Sequence, residues 1–186
     1  MVKRYFLIAL LLGISSNVTA SIDWSSPSTC NIEGSNNLDE IINQMTLRQK
    51  IGQIIMPDIQ YVTPEEAKKY QLGSILNGGG SWPNNKKTST VQDWQNLSKA
   101  YYDASPVVGD QIVPIIWGTD AVHGHSNVIG ATVFPHNIGI GATQDTDLIK
   151  RIAEAVAKEV LSTGIVWTFA PTITAVSYTH LTLPTS

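Results

Sequence analysis

Cysteine is nearly absent from this chain, and so are long apolar runs and clusters of positive charge. Cys30 is the only cysteine among 186 residues, so no disulfide can form within the chain. The main apolar run extends from Tyr5 to Ile14, about half of the roughly 20 residues that span a bilayer. No Lys/Arg cluster or stripe stands out and the net charge is -3, which argues against nucleic acid or an anionic membrane as a partner.

The first 20 residues have the organisation of an export signal. Lys3 and Arg4 precede the apolar run, and a small-x-small pattern ends at Ala20. We predict cleavage after Ala20, which removes two basic residues and changes the net charge from -3 to 10 - 15 = -5. Export predicts a periplasmic or extracellular location, without membrane attachment once the signal is removed. Residues 21–37 are polar and aperiodic, and we predict that they form an irregular leader.

Beyond the leader, short apolar runs alternate with amphipathic segments. The periodicity and capping signals predict helices at 38–45, from Thr46, at 64–70, from about 91 to 101 and from Asp145, and strands at 54–56, 73–76, 113–117 and 166–169. In the third of these strands, Val113, Ile115 and Ile116 are predicted to be fully buried. Strands that alternate with helices predict an α/β fold with a parallel sheet.

An aspartate, Asp120, closely follows the apolar run 113–117. A carboxylate just past the carboxyl end of a parallel strand lies where α/β barrels and open α/β sheets hold their ligands. Asp120 is therefore the first candidate for ligand contact, with a loop cap or a buried salt bridge as the alternative. Other acidic residues, such as Asp103, Glu154 and Glu159, fall on predicted helices and are interpreted as solvated charge.

Two histidines flank Gly124 in the loop after Asp120. The spacing of His123 and His125 would suit two metal ligands on one side of an extended chain. Zinc sites need three or four ligands, however, and no second Cys/His cluster accompanies them, so the sequence predicts neither a metal nor a cofactor. We predict that His123, and likewise His136, hydrogen-bond the loop that positions Asp120.

Six motifs together resemble the N-terminal part of glycoside hydrolase family 3, the family of β-glucosidases and exo-glucosidases. They are Thr46-Leu-Arg-Gln-Lys-Ile-Gly-Gln53, Gly78-Gly-Gly-Ser81, Gly118-Thr-Asp-Ala-Val-His-Gly124, Ala131-Thr-Val-Phe-Pro-His136, Gly139-Ile-Gly-Ala-Thr143 and Phe169-Ala-Pro171. The resemblance covers about residues 38–176. It implies an incomplete (β/α)8 barrel, roughly its first half, because a full barrel needs eight strands and typically about 250 residues.

The resemblance also implies an activity for the intact protein. Members of this family are retaining O-glycosyl hydrolases, and the expected reaction removes terminal nonreducing β-D-glucosyl residues from cello-oligosaccharides or β-glucans. Asp120 corresponds to the family's aspartate that grips the nonreducing-end glucose through its hydroxyls. Xylosidases and N-acetylglucosaminidases also belong to the family, so the choice of sugar stays open.

The two reacting carboxyl groups of a retaining glycosidase lie about 5 to 5.5 Å apart. In the family the nucleophilic aspartate lies on a later strand, and the acid/base glutamate generally comes from the following domain. By this resemblance the chain contains no catalytic residue, and we expect the 186-residue chain to be inactive. The alternative function is an inert truncated barrel or a sugar-binding fragment.

A glycine-rich loop, Gly78–Gly80, follows the predicted strand 73–76. It lacks the pattern of a phosphate-binding loop, and we interpret it as a loop close to the sugar site, with contacts from Gly80 and Trp82. The ring of Trp82 suits the apolar face of a pyranose, but packing within the loop is an equally good interpretation. Residues 177–186 depart from the family's pattern, and we interpret them as a non-native tail, with a genuine short strand or a disordered tail as the alternative.

Overall fold

The computed structural model describes residues 38–171, so the predicted signal, leader and tail lie outside the described residues. Within this range there are six α-helices, five β-strands and one short 3-10 turn. In chain order they are α1 (Leu38–Gln44), α2 (Leu47–Gln53), α3 (Pro64–Tyr70), β1 (Ser74–Asn77), the 3-10 turn (Pro83–Asn85), α4 (Val91–Asp103), β2 (Val107–Val108), β3 (Gln111–Ile112), β4 (Ile116–Thr119), α5 (Asn137–Ala142), α6 (Thr146–Ser162) and β5 (Trp167–Thr168).

Three parallel strands form the central sheet, in the order β1-β4-β5. The predicted parallel α/β arrangement is therefore confirmed for this part of the chain. A further segment runs beside β1 and pairs at one residue, Asp58 with Leu76. The predicted strand 54–56 is wrong: Ile54 is 85% exposed and the pairing occurs two residues beyond the predicted run. Strands β2 and β3 form a separate antiparallel hairpin, which the sequence did not predict.

The core lies between the sheet and α4. Trp117 of β4 packs against two aromatic rings of α4, with centroid distances of 5.9 Å to Trp94 and 5.6 Å to Tyr101. Ile75 of β1, which pairs in register with Trp117, is fully buried on the same side. Buried aromatic side chains contribute large apolar areas, so this layer is the main source of stability for the described residues.

The opposite face of the sheet carries apolar side chains that are partly exposed, and none of the helices described between residues 38 and 171 covers them. We call this the open face and define it by Leu76, Ile116, Gly118, Trp167 and Phe169. Ile116 is 46% exposed and Trp167 is 45% exposed. A Cβ on Gly118 would overlap the Phe169 ring, so glycine at this position lets that ring lie against the sheet.

The prediction of a fully buried strand at Val113, Ile115 and Ile116 is wrong in two respects. Strand β4 begins at Ile116, and only Ile115 of these three residues is buried. Successive side chains of a strand point to opposite faces, so a helix layer on one side buries alternate positions only. An apolar run in the sequence indicates that both faces are apolar, but not that other described residues cover both of them.

The predicted helices are confirmed, because their starts are encoded locally. Thr46, Thr63 and Thr90 each accept a hydrogen bond from the backbone N–H three residues on, and each forms a full capping box. Asp145 caps α6 through Leu148 N. Helix α5 was not predicted: its Asn-Ile-Gly-Ile-Gly-Ala sequence has low helix propensity, and it begins at His136, an unusual N-cap. None of the described helices is long and apolar enough to cross a membrane.

Candidate functional site at the strand ends

The carboxyl ends of the parallel strands meet at one edge of the sheet. There β1 leads into Gly78, β4 into Asp120 and β5 into Phe169. Asp120 is exposed, and among residues 38–171 its carboxylate takes part in no hydrogen bond or ion pair. Both alternatives from the sequence, a loop cap and a buried salt bridge, are therefore absent in the described part of the chain. An ionised carboxylate accepts hydrogen bonds only, so Asp120 offers its oxygens to a ligand that donates them.

His123 and His136 lie together in the loop after Asp120. Their ring centroids are 5.6 Å apart. His123 is joined to Phe134 twice: its Nδ1 lies 3.1 Å from the Phe134 carbonyl oxygen, and Phe134 N donates to the His123 carbonyl at 3.0 Å. His136 accepts a hydrogen bond from Ile138 N and begins α5. The loop that follows Asp120 is thus closed on itself through His123, and the supporting role of both histidines remains a prediction.

The neighbouring glycine loop is open towards solvent. Gly79 and Gly80 are exposed, and a Cβ added to either would meet nothing within 4 Å. The Gly80 carbonyl accepts a hydrogen bond of 2.6 Å from Gln60 Nε2. Trp82 is half-buried and packs against the hydrophobic core, which favours the interpretation of a packed loop tryptophan over a stacking platform. Contact of Gly80 or Trp82 with a ligand stays a prediction.

A second acidic residue at this edge, Asp58, was missed from the sequence. Its carboxylate accepts from Gly78 N at 3.0 Å, Ser81 Oγ at 2.7 Å and Gln60 N at 2.8 Å. Asp58 therefore fixes both ends of the glycine loop from the next segment of the sheet. The signal that could have found it is the one that found Asp120, an acidic residue shortly after an apolar run.

His125 points away from this edge into the core. It is 1% exposed, and its Nε2 lies 2.9 Å from Thr163 Oγ1. Because that hydroxyl donates its proton to the Val160 carbonyl, it can only accept from His125, so the Nε2 carries the hydrogen. Burial lowers the pKa of His125 to about 4. His123 and His125 therefore do not converge on one point, and residues 38–171 hold no cluster of three or more His, Cys, Asp or Glu suited to a metal.

Glu159 contradicts its interpretation as solvated charge. The residue is 8% exposed, and both carboxylate oxygens accept from Thr132 N, at 3.0 and 3.1 Å. The prediction was wrong because it neglected the helical period: Glu159 lies three residues after Val156 and beside Val160, on the inward face of α6. Glu154 lies on the exposed side of the same helix, as predicted.

An apolar groove of about 690 Å³ lies elsewhere, between α2 and α3. Leu47, Ile51, Tyr61 and Tyr70 are among the residues that line it. It contains none of the predicted site residues, and the strand ends form an open edge of the sheet. We therefore place the candidate site at the strand ends, where polar acceptors and exposed backbone lie together.

Comparison with known proteins identifies the family of this chain. Residues 46–179 match the model described as the glycosyl hydrolase family 3 N terminal domain. The chain belongs to glycoside hydrolase family 3. A curated relative, lysosomal beta glucosidase of Dictyostelium discoideum, is 30% identical, with 73% of this chain and 18% of the relative covered. The resemblance seen in the sequence is thereby confirmed.

Solved structures of the same family share this fold. The exo-1,3/1,4-beta-glucanase from a Pseudoalteromonas species is 49% identical with a TM-score of 0.68, and the match covers 74% of this chain and 17% of that one. The family 3 beta-N-acetylglucosaminidase from Paenibacillus sp. str. FPU-7 is 24% identical with a TM-score of 0.55, covering 68% of this chain and 24% of that one. The present chain therefore spans between 17% and 24% of the length of these three family members.

Proposed function

We propose that this chain is the N-terminal part of an exported, retaining β-glucosidase that hydrolyses terminal nonreducing β-D-glucosyl residues of cello-oligosaccharides or β-glucans. The names of two relatives, a beta glucosidase and an exo-1,3/1,4-beta-glucanase, support the substrate class. In this proposal the three parallel strands are the first part of a (β/α)8 barrel. The exposed apolar side chains of the open face support it, because later strands of a closed barrel would cover them.

Asp120 is the residue that binds the sugar. The observation that carries this role is its exposed carboxylate at the carboxyl end of β4, without a partner among the described residues. Sugar hydroxyls donate hydrogen bonds, and a bond to an ionised acceptor is roughly twice as strong as a neutral one. Such bonds orient the pyranose and discriminate against sugars whose hydroxyls point elsewhere. His123 and His136 hold the loop behind it, and Gly80 lies in the neighbouring loop at the same edge.

The nucleophile and the acid/base belong to later parts of the complete enzyme, as the family resemblance implies. We therefore expect no turnover of p-nitrophenyl β-glucoside by the 186-residue chain on its own. Measurable turnover by the purified chain would contradict this assignment, and an inert or merely sugar-binding product is the expected result.

The test of the proposal is Asp120→Ala in the complete enzyme. Each lost charge-assisted hydrogen bond is worth about 1.5 to 3 kcal/mol, so kcat/KM for p-nitrophenyl β-glucoside should fall by about 10- to 100-fold or more. Asp110→Ala is the matched control, because Asp110 is an exposed aspartate in the turn between β2 and β3. A fall in kcat/KM of less than about threefold, roughly 0.7 kcal/mol in transition-state binding, would contradict the assignment of Asp120 to the sugar site.

A further inference from the structure

We propose that Glu159 is a positioning residue that anchors the loop carrying Asp120. The role of Glu159 in catalysis rests on the proposed function of Asp120. The hydrogen bonds by which Glu159 holds the loop do not depend on that function. Glu159 lies on α6, 39 positions after Asp120 in the chain. It contacts the loop at Thr132. Both carboxylate oxygens of Glu159 accept a hydrogen bond from Thr132 N, at 3.0 and 3.1 Å.

The contacts continue from Thr132 towards Asp120. The Thr132 carbonyl oxygen lies against Gly124, where a Cβ would overlap it, and Gly124 has a φ of +79° that disfavours other residues. Two residues on from Thr132, Phe134 is joined to His123 through its backbone N–H and its carbonyl. Glu159 therefore holds the segment from Thr132 to Phe134, which contacts His123 and Gly124. These two residues follow Asp120 closely in the chain.

The Glu159 carboxylate is held by the loop backbone and not by a cation in the described part of the chain. The residue is 8% exposed, and no Lys, Arg or His among residues 38–171 forms an ion pair with it. A buried carboxylate without a cation loses solvation, and a single backbone N–H shared by two oxygens restores only part of it. A glutamine could accept from the same N–H through its single carbonyl oxygen. What the carboxylate adds is a stronger, charge-assisted bond that fixes the orientation of the Thr132 peptide.

Hydrogen exchange in the 186-residue chain tests the anchoring. In Glu159→Ala the amides of residues 121–136 should exchange at least about tenfold faster, and in Glu159→Gln, which keeps one acceptor oxygen, the increase should be smaller. Glu154→Gln, on the exposed side of α6, should leave these amides unchanged. If Glu159→Ala fails to fold, the exchange rates of Glu159→Gln alone test the anchoring. Unchanged exchange across residues 121–136 in the folded Glu159 variants would overturn the proposal.

A double-mutant cycle in the complete enzyme tests the link to Asp120. Glu159→Gln should lower kcat/KM by about tenfold, but in an Asp120→Asn background the same change should cost less than about threefold. Equal losses in both backgrounds would overturn the positioning role, because a general loss of structure acts whether or not Asp120 is present. If Asp120→Asn by itself leaves kcat/KM unchanged, the proposed function fails. The hydrogen-exchange experiment still decides whether Glu159 anchors the loop.

Discussion

At the residue scale, three carboxylates differ in what they bind: those of Asp58 and Glu159 accept hydrogen bonds from the protein, and that of Asp120 does not. Asp58 accepts from the glycine loop through its Oδ2, and Glu159 accepts from Thr132 N through both of its oxygens. Asp120 has no such partner among residues 38–171 and stays exposed. The sequence separates Asp120 from the helical acids by its place after an apolar run, but the partners of the other two come from distant segments. A side chain without internal partners is the one available to a ligand.

His125 gives a pH-dependent stability that can be measured. Burial holds its pKa at about 4 in the folded chain, whereas the ordinary value is 6.5. Between these values the unfolded chain binds a proton that the folded chain does not, so stability is full above pH 6.5 and is lost as the pH falls towards 4. This single group should contribute up to about 3 kcal/mol to that loss.

Urea unfolding of the wild type and of His125→Gln at several pH values checks this. The variant should lose stability at neutral pH but show a weaker dependence between pH 6.5 and 4. Val160→Ala is the control, because it removes buried apolar surface without removing a titratable group and should leave the pH dependence as it is. The same slope in the wild type and in His125→Gln would contradict the burial argument.

At the scale of the element, strands β1 and β4 are joined by a side-chain bond as well as by their backbone ladder. Trp117 Nε1 donates to Asn77 Oδ1 at 2.8 Å, and both residues are buried. Asn77 Nδ2 has no partner within the described structure. The bond from Trp117 is therefore what satisfies the polar side chain of Asn77 in the core. Since Asn77 is the last residue of β1, the bond also fixes where the glycine loop begins.

Trp117→Phe should therefore destabilise the chain beyond the loss of ring area. The substitution keeps an aromatic ring but leaves Asn77 Oδ1 buried without a donor, at a cost of about 1 to 3 kcal/mol. The free energy of unfolding from urea titrations measures it. Trp94→Phe is the matched control, because Trp94 is buried to a similar extent and its Nε1 has no hydrogen-bond partner within the described structure. Equal destabilisation by both substitutions would show that the bond contributes nothing.

At the scale of the whole molecule, the open face dominates. Its exposed side chains include Ile116 and Trp167, on a sheet whose other face is covered by α4. Apolar sheet surfaces of this kind mark association sites or the place of further protein structure. The chain spans about a fifth of the length of two of its relatives.

The 186-residue chain should accordingly self-associate through the open face. We expect sedimentation velocity to show larger species as the concentration rises through the micromolar range, because exposed apolar surface associates at about these concentrations. Trp167→Lys should shift the distribution towards the monomer. Val107→Lys is the control: Val107 is exposed to a similar extent but lies on the β2–β3 hairpin. A wild-type chain that stays monomeric would show that this face is covered.

The sequence by itself determined the features that depend on near neighbours. Helix starts at Thr46, Thr63 and Asp145 follow from capping interactions that span three residues, and these were predictable. The order of strands and helices, and an acidic residue just past β4, were predictable for the same reason, because apolar periodicity and chain order need no partner from elsewhere.

Only the tertiary structure decided which apolar and polar groups are covered. Ile116 is exposed although its run is apolar, and His125 is buried although it lies in a loop. The helical period places Glu159 on the inward face of α6, but the sequence does not show which group it meets there. In each case the deciding partner, such as Thr132 for Glu159 or Thr163 for His125, lies tens of residues away. Burial is a property of the packed layers, and the sequence pattern of one segment carries no information about what another segment places over it.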